Sequence, residues 1–227
     1  MSIVSVRGVT RDYQQGKITV HALRGVDLDI EAGEFTALMG PSGSGKTTLL
    51  NMVGGLDRPT SGDVSVDGVA LSTLSSSELS DLRLRKLGFI FQAYNLVPVL
   101  TAFENAEFVL LLQGVPAAER SERVTKTLEA VGLSGMESRR PNELSGGQQQ
   151  RVAVARAIAG KPTLVLADEP TANLDSTTSD QLIALMKELN QEQGITFLFS
   201  THDPKVMAAA TRVVSMVDGQ IVEDERR

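Results

Sequence analysis

The chain has 227 residues, of which 41% are hydrophobic, and a formal net charge of −6. This length suffices for a substantial core, whereas the acidic balance argues against nucleic acid as a partner, because phosphate backbones attract basic surfaces. The absence of cysteine excludes disulfides and thiolate metal sites and fits a reducing compartment. No apolar run approaches the roughly 20 residues of a membrane helix, and no signal peptide is expected at the N-terminus.

The N-terminal third is typical of strands and turns. Residues 4–6 and 22–30 alternate in part between apolar and polar positions. The apolar run 35–39 predicts a buried parallel strand, and a helix is predicted over 46–53, ending at two glycines. Residues 61–71 predict a small hairpin around an Asp-Gly turn.

The remainder predicts a helical block between strands. The block covers residues 101–160, and an amphipathic helix is predicted over 179–190. Further strands are predicted at residues 87–91, 164–167 and 195–200. Strand–helix–strand alternation at both ends implies a parallel sheet, with the helical block as an insertion. The polar tail from residue 218 is expected to be frayed.

The most specific motif follows the strand at 35–39. Gly40 and Gly45, followed by Lys46 and Thr47, fit the phosphate-loop pattern between a strand and a helix. Backbone N–H groups of such a loop bind phosphate oxygens, and the helix adds the positive end of its dipole. Lys46 is expected to contact the outer phosphates and Thr47 to bind Mg²⁺. The residues predicted to bind nucleotide here are Gly40, Pro41, Ser42, Gly43, Ser44, Gly45, Lys46, Thr47 and Thr48.

Two carboxylates, Asp168 and Glu169, end the apolar run 164–167. In isolation, a strand that leads into an acidic turn is common. Beside a phosphate loop, the same pair predicts a metal ligand in Asp168 and a general base for the attacking water in Glu169.

Residues 144–148, Leu-Ser-Gly-Gly-Gln, precede a helical stretch. Ser145 is suited to cap that helix, and the two glycines permit close approach of the backbone to a ligand. On physical grounds alone, an ordinary capped helix with a flexible start fits the same residues.

Residues 144–148 match the signature of the ABC ATPases letter for letter. Residues 40–47 resemble the Walker A loop of that family, and residues 164–168 resemble its Walker B strand. The resemblance covers nearly the whole chain. It also implies roles for Gln92 as the Q-loop metal contact, Asp175 in the D-loop, His202 as the switch histidine and Tyr13 as the adenine-stacking aromatic.

Each of these four residues has a plain structural alternative. Tyr13 could be a surface aromatic, Gln92 a polar strand end and His202 an exposed loop histidine. Asp175 could cap the following helix as well as shape an interface. The second histidine, His21, matches no motif and is taken as structural.

The resemblance implies an α/β fold, a P-loop NTPase with a RecA-like core, an antiparallel β subdomain and an inserted α-helical subdomain. The single domain 1–227 would divide into core and β subdomain at 1–92 and 161–227, with the helical subdomain at 93–160. Catalytic residues would be Glu169, His202 and Gln92. Ligands of Mg²⁺ would be Thr47, Gln92 and Asp168.

The resemblance also implies a second copy of the chain as partner. Two subunits would pair head to tail, each ATP lying between one phosphate loop and the partner's signature residues, Ser145, Gly146, Gly147 and Gln148. ATP would then close the dimer and hydrolysis would open it. The dimer would act on an integral membrane permease from the cytoplasmic face of the cell membrane.

Within the family, residues 54–62, 89–96 and 168–175 are most similar to the ATPase subunits of lipoprotein-release and macrolide-export systems. Ala172 departs from the Gly that many of those members carry. A mechanotransmitter that activates an extracytoplasmic enzyme, as in cell division, would show the same motifs. A DNA-repair type is disfavoured by the short separation of Lys46 from Ser145 and by the lack of sustained heptads.

The segment 93–100 is apolar although it follows Gln92 directly. Two interpretations remain open. The segment belongs to the core of the helical subdomain, or it forms a groove for a helix of the permease.

Overall fold

The structure, a computed structural model, describes residues 2–227. Its strands are β1 (Ser2–Gln15), β2 (Ile18–Glu31), β3 (Phe35–Met39), β4 (Ser61–Val66), β5 (Val69–Ala70), β6 (Leu87–Phe91), β7 (Leu164–Asp168), β8 (Thr196–Ser200), β9 (Arg212–Val217) and β10 (Gln220–Arg226). Its α-helices are α1 (Lys46–Val53), α2 (Ser76–Lys86), α3 (Ala102–Leu112), α4 (Ala117–Ala130), α5 (Gly146–Ala159), α6 (Ser176–Gln193) and α7 (Pro204–Ala209). None of these helices is long and apolar enough to cross a membrane.

The strands form two sheets. An antiparallel sheet has the order β2-β1-β4-β5, and a six-stranded sheet has the order β10-β9-β3-β8-β7-β6. Every pairing in the larger sheet is parallel except that of β10 with β9. Helices α3, α4 and α5 follow one another between β6 and β7. The α/β fold with a parallel core, an antiparallel sheet and inserted helices is therefore confirmed.

The central strands carry side chains that are apolar on both faces. In β3, β7 and β8, the apolar side chains are almost all fully buried, which is why these runs do not alternate with polar residues. Phe35, Phe197 and Phe199 form an aromatic cluster with ring centroids 4.5–5.5 Å apart. This rigid centre holds the strand ends that carry the site.

The predicted strands 35–39 and 87–91 and the predicted helix 46–53 coincide with β3, β6 and α1. The hairpin of β4 and β5 turns at Asp67, which has a φ of 51°, and Gly68, which has a φ of 78°.

Helix α2 was not predicted. It begins with a capping box, in which the Ser75 hydroxyl accepts a hydrogen bond from the Glu78 N–H and the Glu78 carboxylate accepts one from the Ser75 N–H. The Ser-x-x-Glu spacing was the available signal in the sequence. Only Leu79 of this helix is buried, so the apolar periodicity that reveals most helices is missing.

The expectation of a frayed tail from residue 218 is wrong. Strand β10 pairs antiparallel with β9 at the edge of the large sheet. Its exposed position accounts for its polar composition. Arg212, whose side chain is 6% exposed, binds Asp224 at 2.7 Å and Glu34 at 3.0 Å, and this pairing anchors the tail.

Candidate active site

The loop of residues 40–45 connects β3 to α1 at the carboxyl edge of the large sheet. Gly45, with a φ of 101°, precedes α1, and no side chain caps that helix. The first N–H groups of α1 therefore have no side-chain partner and can receive an anion. A Cβ at Gly40 would lie 2.2 Å from the Met216 carbonyl oxygen, and one at Gly45 would lie 2.6 Å from the Ala22 carbonyl oxygen. Only glycine fits at either position.

Lys46 lies folded back over this loop. Its side-chain amine donates hydrogen bonds to the carbonyl oxygens of Gly40 at 2.7 Å and Pro41 at 3.1 Å, and the residue is 7% exposed. The hydroxyl oxygen of Ser44, in the same loop, is buried without a hydrogen-bond partner in the protein. A positive charge and an unpaired hydroxyl around exposed N–H groups form a cradle that fits phosphate oxygens.

The first turn of α1 meets the end of β7. The Thr47 hydroxyl donates a hydrogen bond to Asp168 Oδ1 at 3.0 Å. A hydroxyl and a carboxylate are the oxygen donors that Mg²⁺ prefers. Strand β6 pairs with β7 so that Phe91 lies opposite Asp168, which brings Gln92 to the wall of the same cavity.

Glu169 lies in the loop after β7, and His202 in the loop after β8. His202 Nδ1 is 2.8 Å from Glu169 Oε1. The backbone of Glu169 is left-handed, with a φ of 47°, and its N–H donates to the Ser200 carbonyl. The Glu169 side chain is 17% exposed, and its second oxygen, Oε2, is buried without a partner. One carboxylate oxygen is thus held by His202, while the other makes no hydrogen bond within residues 2–227.

Apart from Asp168, which reaches the site only through its hydrogen bond with Thr47, these groups line one cavity of about 710 Å³, within the size range of small-molecule sites. The large sheet contributes residues 40–48, Gln92, Glu169, Ala172 and His202. The antiparallel sheet contributes Tyr13, Val20, His21 and Ala22.

Tyr13 is fixed by two neighbours. Its hydroxyl donates to Asp57 Oδ2 at 2.8 Å, and the guanidinium of Arg11 lies 4.4 Å from the ring centroid. Arg11 also pairs with Asp57 at 2.9 Å. Because Arg11 covers one face of the ring, a planar ligand can stack only on the opposite face.

The predicted signature residues lie elsewhere. Residues 145–148 and Asp175 are not among the residues, within 2–227, that line the cavity. Ser145 caps α5, as predicted, and the cap is a capping box shared with Gln148. Gly147 packs so closely on α6 that a Cβ would meet the Thr178 methyl group at 2.3 Å. Asp175 caps α6 by accepting a hydrogen bond from the Thr178 N–H, so its alternative role as an N-cap is confirmed.

Residues 23–172 match the ABC transporter family. The chain belongs to this family. It is 50% identical to the lipoprotein-releasing system ATP-binding protein LolD of Anaeromyxobacter dehalogenans, over 97% of this chain and 93% of that protein. It is 47% identical to the macrolide export ATP-binding/permease protein MacB of Rhodopirellula baltica, over 99% of this chain and 33% of that longer protein.

A solved structure gives the same family assignment. It is a dimeric, post-hydrolysis state of an ATP-binding cassette bound to ADP and Pi, from an uncharacterised ABC transporter ATP-binding protein of Methanocaldococcus jannaschii. It superposes with a TM-score of 0.91 at 43% identity and covers 98% of each chain. The chain is accordingly an ATP-binding ATPase subunit of the ABC transporter family.

The cavity of this ABC ATPase includes residues that sequence reasoning missed. His21 lines it and is oriented by Asp12, whose Oδ1 lies 2.8 Å from His21 Nδ1. The pairing of β1 with β2 places Val20 opposite Tyr13, and Val20 and His21 reach the cavity together. That register has several shifts, so the sequence alone offers no signal for it.

Proposed function

We propose that this chain is the ATPase subunit of a membrane complex of the lipoprotein-release or macrolide-export type, in which MgATP closes a head-to-tail dimer that acts on a permease. One observation carries this proposal. The phosphate loop, Gln92, Glu169 and His202 line one cavity, while the signature residues 145–148 lie outside it. A single chain therefore offers half of a site.

The residues of the cavity support a direct hydrolysis. The α1 N–H groups and Lys46 bind the β- and γ-phosphates, and Thr47, Asp168 and Gln92 would hold Mg²⁺. The metal would neutralise charge that develops on the phosphate oxygens. Glu169 accepts a proton from water as the water oxygen bonds to the γ-phosphorus and the bond to the leaving ADP oxygen breaks. His202 holds Glu169 and reaches the γ-phosphate.

The signature residues Ser145, Gly146, Gly147 and Gln148 complete the site of the partner copy in this proposal. Their helix presents its N-terminus, where backbone N–H groups and the helix dipole favour anions. The dimeric state and the bound ADP and Pi of the Methanocaldococcus cassette support this arrangement. ATP then joins the two copies, and its hydrolysis removes that attraction.

The permease would dock on the helical part of the chain, which we assign to residues 93–160 between core segments 1–92 and 161–227. The segment 93–100 packs only in part, which agrees with the first of its two predicted alternatives, and we propose the second, a groove for a permease helix, for its exposed side. Leu96 packs against the core, whereas Val97 and Val99 are exposed. On α3, Phe108, Leu111 and Leu112 also expose apolar side chains. Exposed apolar surface of this kind favours a partner helix. The chain would thus lie on the cytoplasmic face of the membrane.

Because Leu96 is part of the packing, Val99 is the better probe of docking. Val99 is 71% exposed, and Val222 on β10, at 61%, is a matched control. A tagged chain would be purified from the membranes of its own host as the native form, Val99→Glu and Val222→Glu. The native form and Val222→Glu should recover an integral membrane protein that Val99→Glu loses, while all three hydrolyse ATP. Equal recovery by Val99→Glu would refute the docking surface.

A further inference from the structure

Residues 92–95, called here the Q segment, follow β6 in an unusual backbone conformation. Tyr94 and Asn95 are both left-handed, with φ values of 60° and 50°. Consecutive non-glycine residues rarely adopt this conformation and keep it only where their surroundings hold them in place. Two side chains from other parts of the chain supply that hold.

The first is Asn173, in the loop between Glu169 and Asp175. Its side-chain amide donates a hydrogen bond to the Gln92 carbonyl oxygen at 2.8 Å. The Tyr94 hydroxyl, in turn, lies 3.5 Å from the Asn173 carbonyl oxygen. The loop that carries the proposed general base is thus tied directly to the backbone of Gln92.

The second is Arg156, on α5. Its guanidinium donates to the carbonyl oxygens of Tyr94, at 2.8 Å, and Asn95. The structure pairs it with no carboxylate of residues 2–227, and burial lowers the pKa of this guanidinium. The side chain is partly buried, and its two donors are both committed to the backbone of the Q segment, so it holds that backbone in place.

Asn173 contacts Gln92 itself, whereas Arg156 contacts the next part of the Q segment, at Tyr94 and Asn95. Gln92 lines the cavity, whereas Arg156 belongs to the helix that starts at the signature residues. Gln150, on the same helix and fully buried, donates to the Pro170 carbonyl at 2.7 Å. Helix α5 therefore binds both loops that flank the phosphate end of the cavity.

We propose that Asn173 and Arg156 are positioning residues for Gln92, which fix its side chain against the metal and link it to the signature helix of the same chain. The inference rests on the proposed role of Gln92 as a ligand of Mg²⁺. Neither residue touches nucleotide in this scheme. They act through the backbone of the Q segment. Their loss should therefore raise the Mg²⁺ concentration needed for hydrolysis more than it raises the KM for ATP.

The test uses the full chain with the variants Asn173→Asp and Arg156→Lys. Asparagine to aspartate keeps the shape but removes the donor, and lysine keeps the charge but cannot bind two carbonyls through a planar fork. Each variant has a matched control. Asn190 also donates to backbone carbonyls, of Gly33 and Ile195, and Arg151 on α5 donates to the Val131 carbonyl. The controls are Asn190→Asp and Arg151→Lys.

For each protein, kcat, the KM for ATP, the half-saturating Mg²⁺ concentration and the unfolding temperature are measured. Asn173→Asp and Arg156→Lys should lower kcat by about tenfold, the effect of one lost hydrogen bond to a positioned group. They should also raise the half-saturating Mg²⁺ concentration and leave the KM for ATP within about twofold. The two controls should retain native kinetics even where their unfolding temperatures fall.

The same substitutions are then made with Gln92→Ala, where they should have no further effect on kcat or Mg²⁺ dependence, because they act through Gln92. Native Mg²⁺ dependence and kcat in Asn173→Asp and Arg156→Lys, or equal losses in the controls, would overturn the inference. A failure of the proposed function gives a different result from a failure of this inference. If the proposed function were wrong, Lys46→Ala and Glu169→Gln would still hydrolyse ATP.

Discussion

His202 Nδ1 lies 2.8 Å from Glu169 Oε1, although the two residues are 33 positions apart and follow different strands. The adjacency of β7 and β8 brings their loops together, with Asp168 paired opposite Ser200. The other oxygen of Glu169 is buried and has no hydrogen-bond partner in the protein, so the histidine contact leaves one acceptor of the carboxylate unused. This geometry makes Glu169 the group whose chemistry can be tested most directly.

Replacing Glu169 with Gln removes the proton acceptor but keeps the size of the side chain. Hydrolysis should fall by about 100-fold or more, the usual contribution of a general base. ATP binding should persist, so the ATP-bound dimer should accumulate. Phosphate release and light scattering with ATP measure the two effects. Glu188→Gln, an exposed carboxylate on α6, is the control and should behave as native. Hydrolysis by Glu169→Gln at close to the native rate would contradict the assignment.

The half-site predicts complementation between two inactive variants. Lys46→Ala breaks the phosphate side, and Ser145→Arg obstructs the exposed start of α5. Each variant alone should lack hydrolysis. In a head-to-tail pair of one copy of each, one site has both halves intact and the other has neither. An equal mixture should therefore recover roughly a quarter of the native rate if subunits exchange randomly and sites act independently.

The measurement is the ATPase rate of the mixture after exchange of subunits. A mixture of Lys46→Ala with Thr47→Ala is the control, because both changes lie on the same side of the site and no intact site can form. No recovery in the first mixture, or recovery in the control, would show that each chain completes its own site.

How far the sequence predicted this molecule depended on the range of the interactions. Strand β3 and helix α1 were predicted because their signals are local. The strand is a short apolar run, and the helix lies between a glycine-rich loop and two consecutive glycines. Strand β10 was missed because its polar residues form a strand only through pairing with β9 and through the ion pair with Arg212. The cavity contact of His21 was missed because it depends on the register of a shifted strand pair. The hydrogen bond from Tyr13 to Asp57 connects residues far apart in the sequence, and no local pattern around either residue predicts this contact.

Tyr13→Phe keeps the ring but removes the hydrogen bond to Asp57. The ring should lose its fixed orientation, so the KM for ATP should rise about three- to tenfold, which corresponds to about 1 kcal/mol for a partly exposed hydrogen bond. The value of kcat should change by less than about twofold, since the chemical groups are untouched. Steady-state kinetics of the full chain measure both constants.

The partner substitution tests whether the hydrogen bond is responsible. Asp57→Ala removes the acceptor of this hydrogen bond and also the ion-pair partner of Arg11, so it should raise the KM at least as much. The double variant should be no worse than Asp57→Ala alone, because both substitutions remove the contact between Tyr13 and Asp57. Additive effects would indicate that Asp57 acts independently of the ring. An unchanged KM in Tyr13→Phe would show that the hydroxyl does not orient it.

The anchoring of the tail predicts a pH-dependent stability. Arg212 lowers the pKa of Asp224 below its ordinary value, chiefly through a hydrogen bond. A carboxylate with a depressed pKa stabilises the fold above its unfolded-state pKa, near 4, and this stabilisation is lost as the pH falls through the folded-state value.

Asp224→Asn should therefore lower the free energy of unfolding at pH 7 by about 1 kcal/mol, a modest figure because Asp224 is partly exposed. Its difference from the native chain should shrink as the pH falls below about 4. Urea unfolding at several pH values measures this difference, with the neighbouring exposed Glu223→Gln as the control. A difference that stays constant with pH, or an equal loss in the control, would show that the ion pair with Arg212 does not hold the tail.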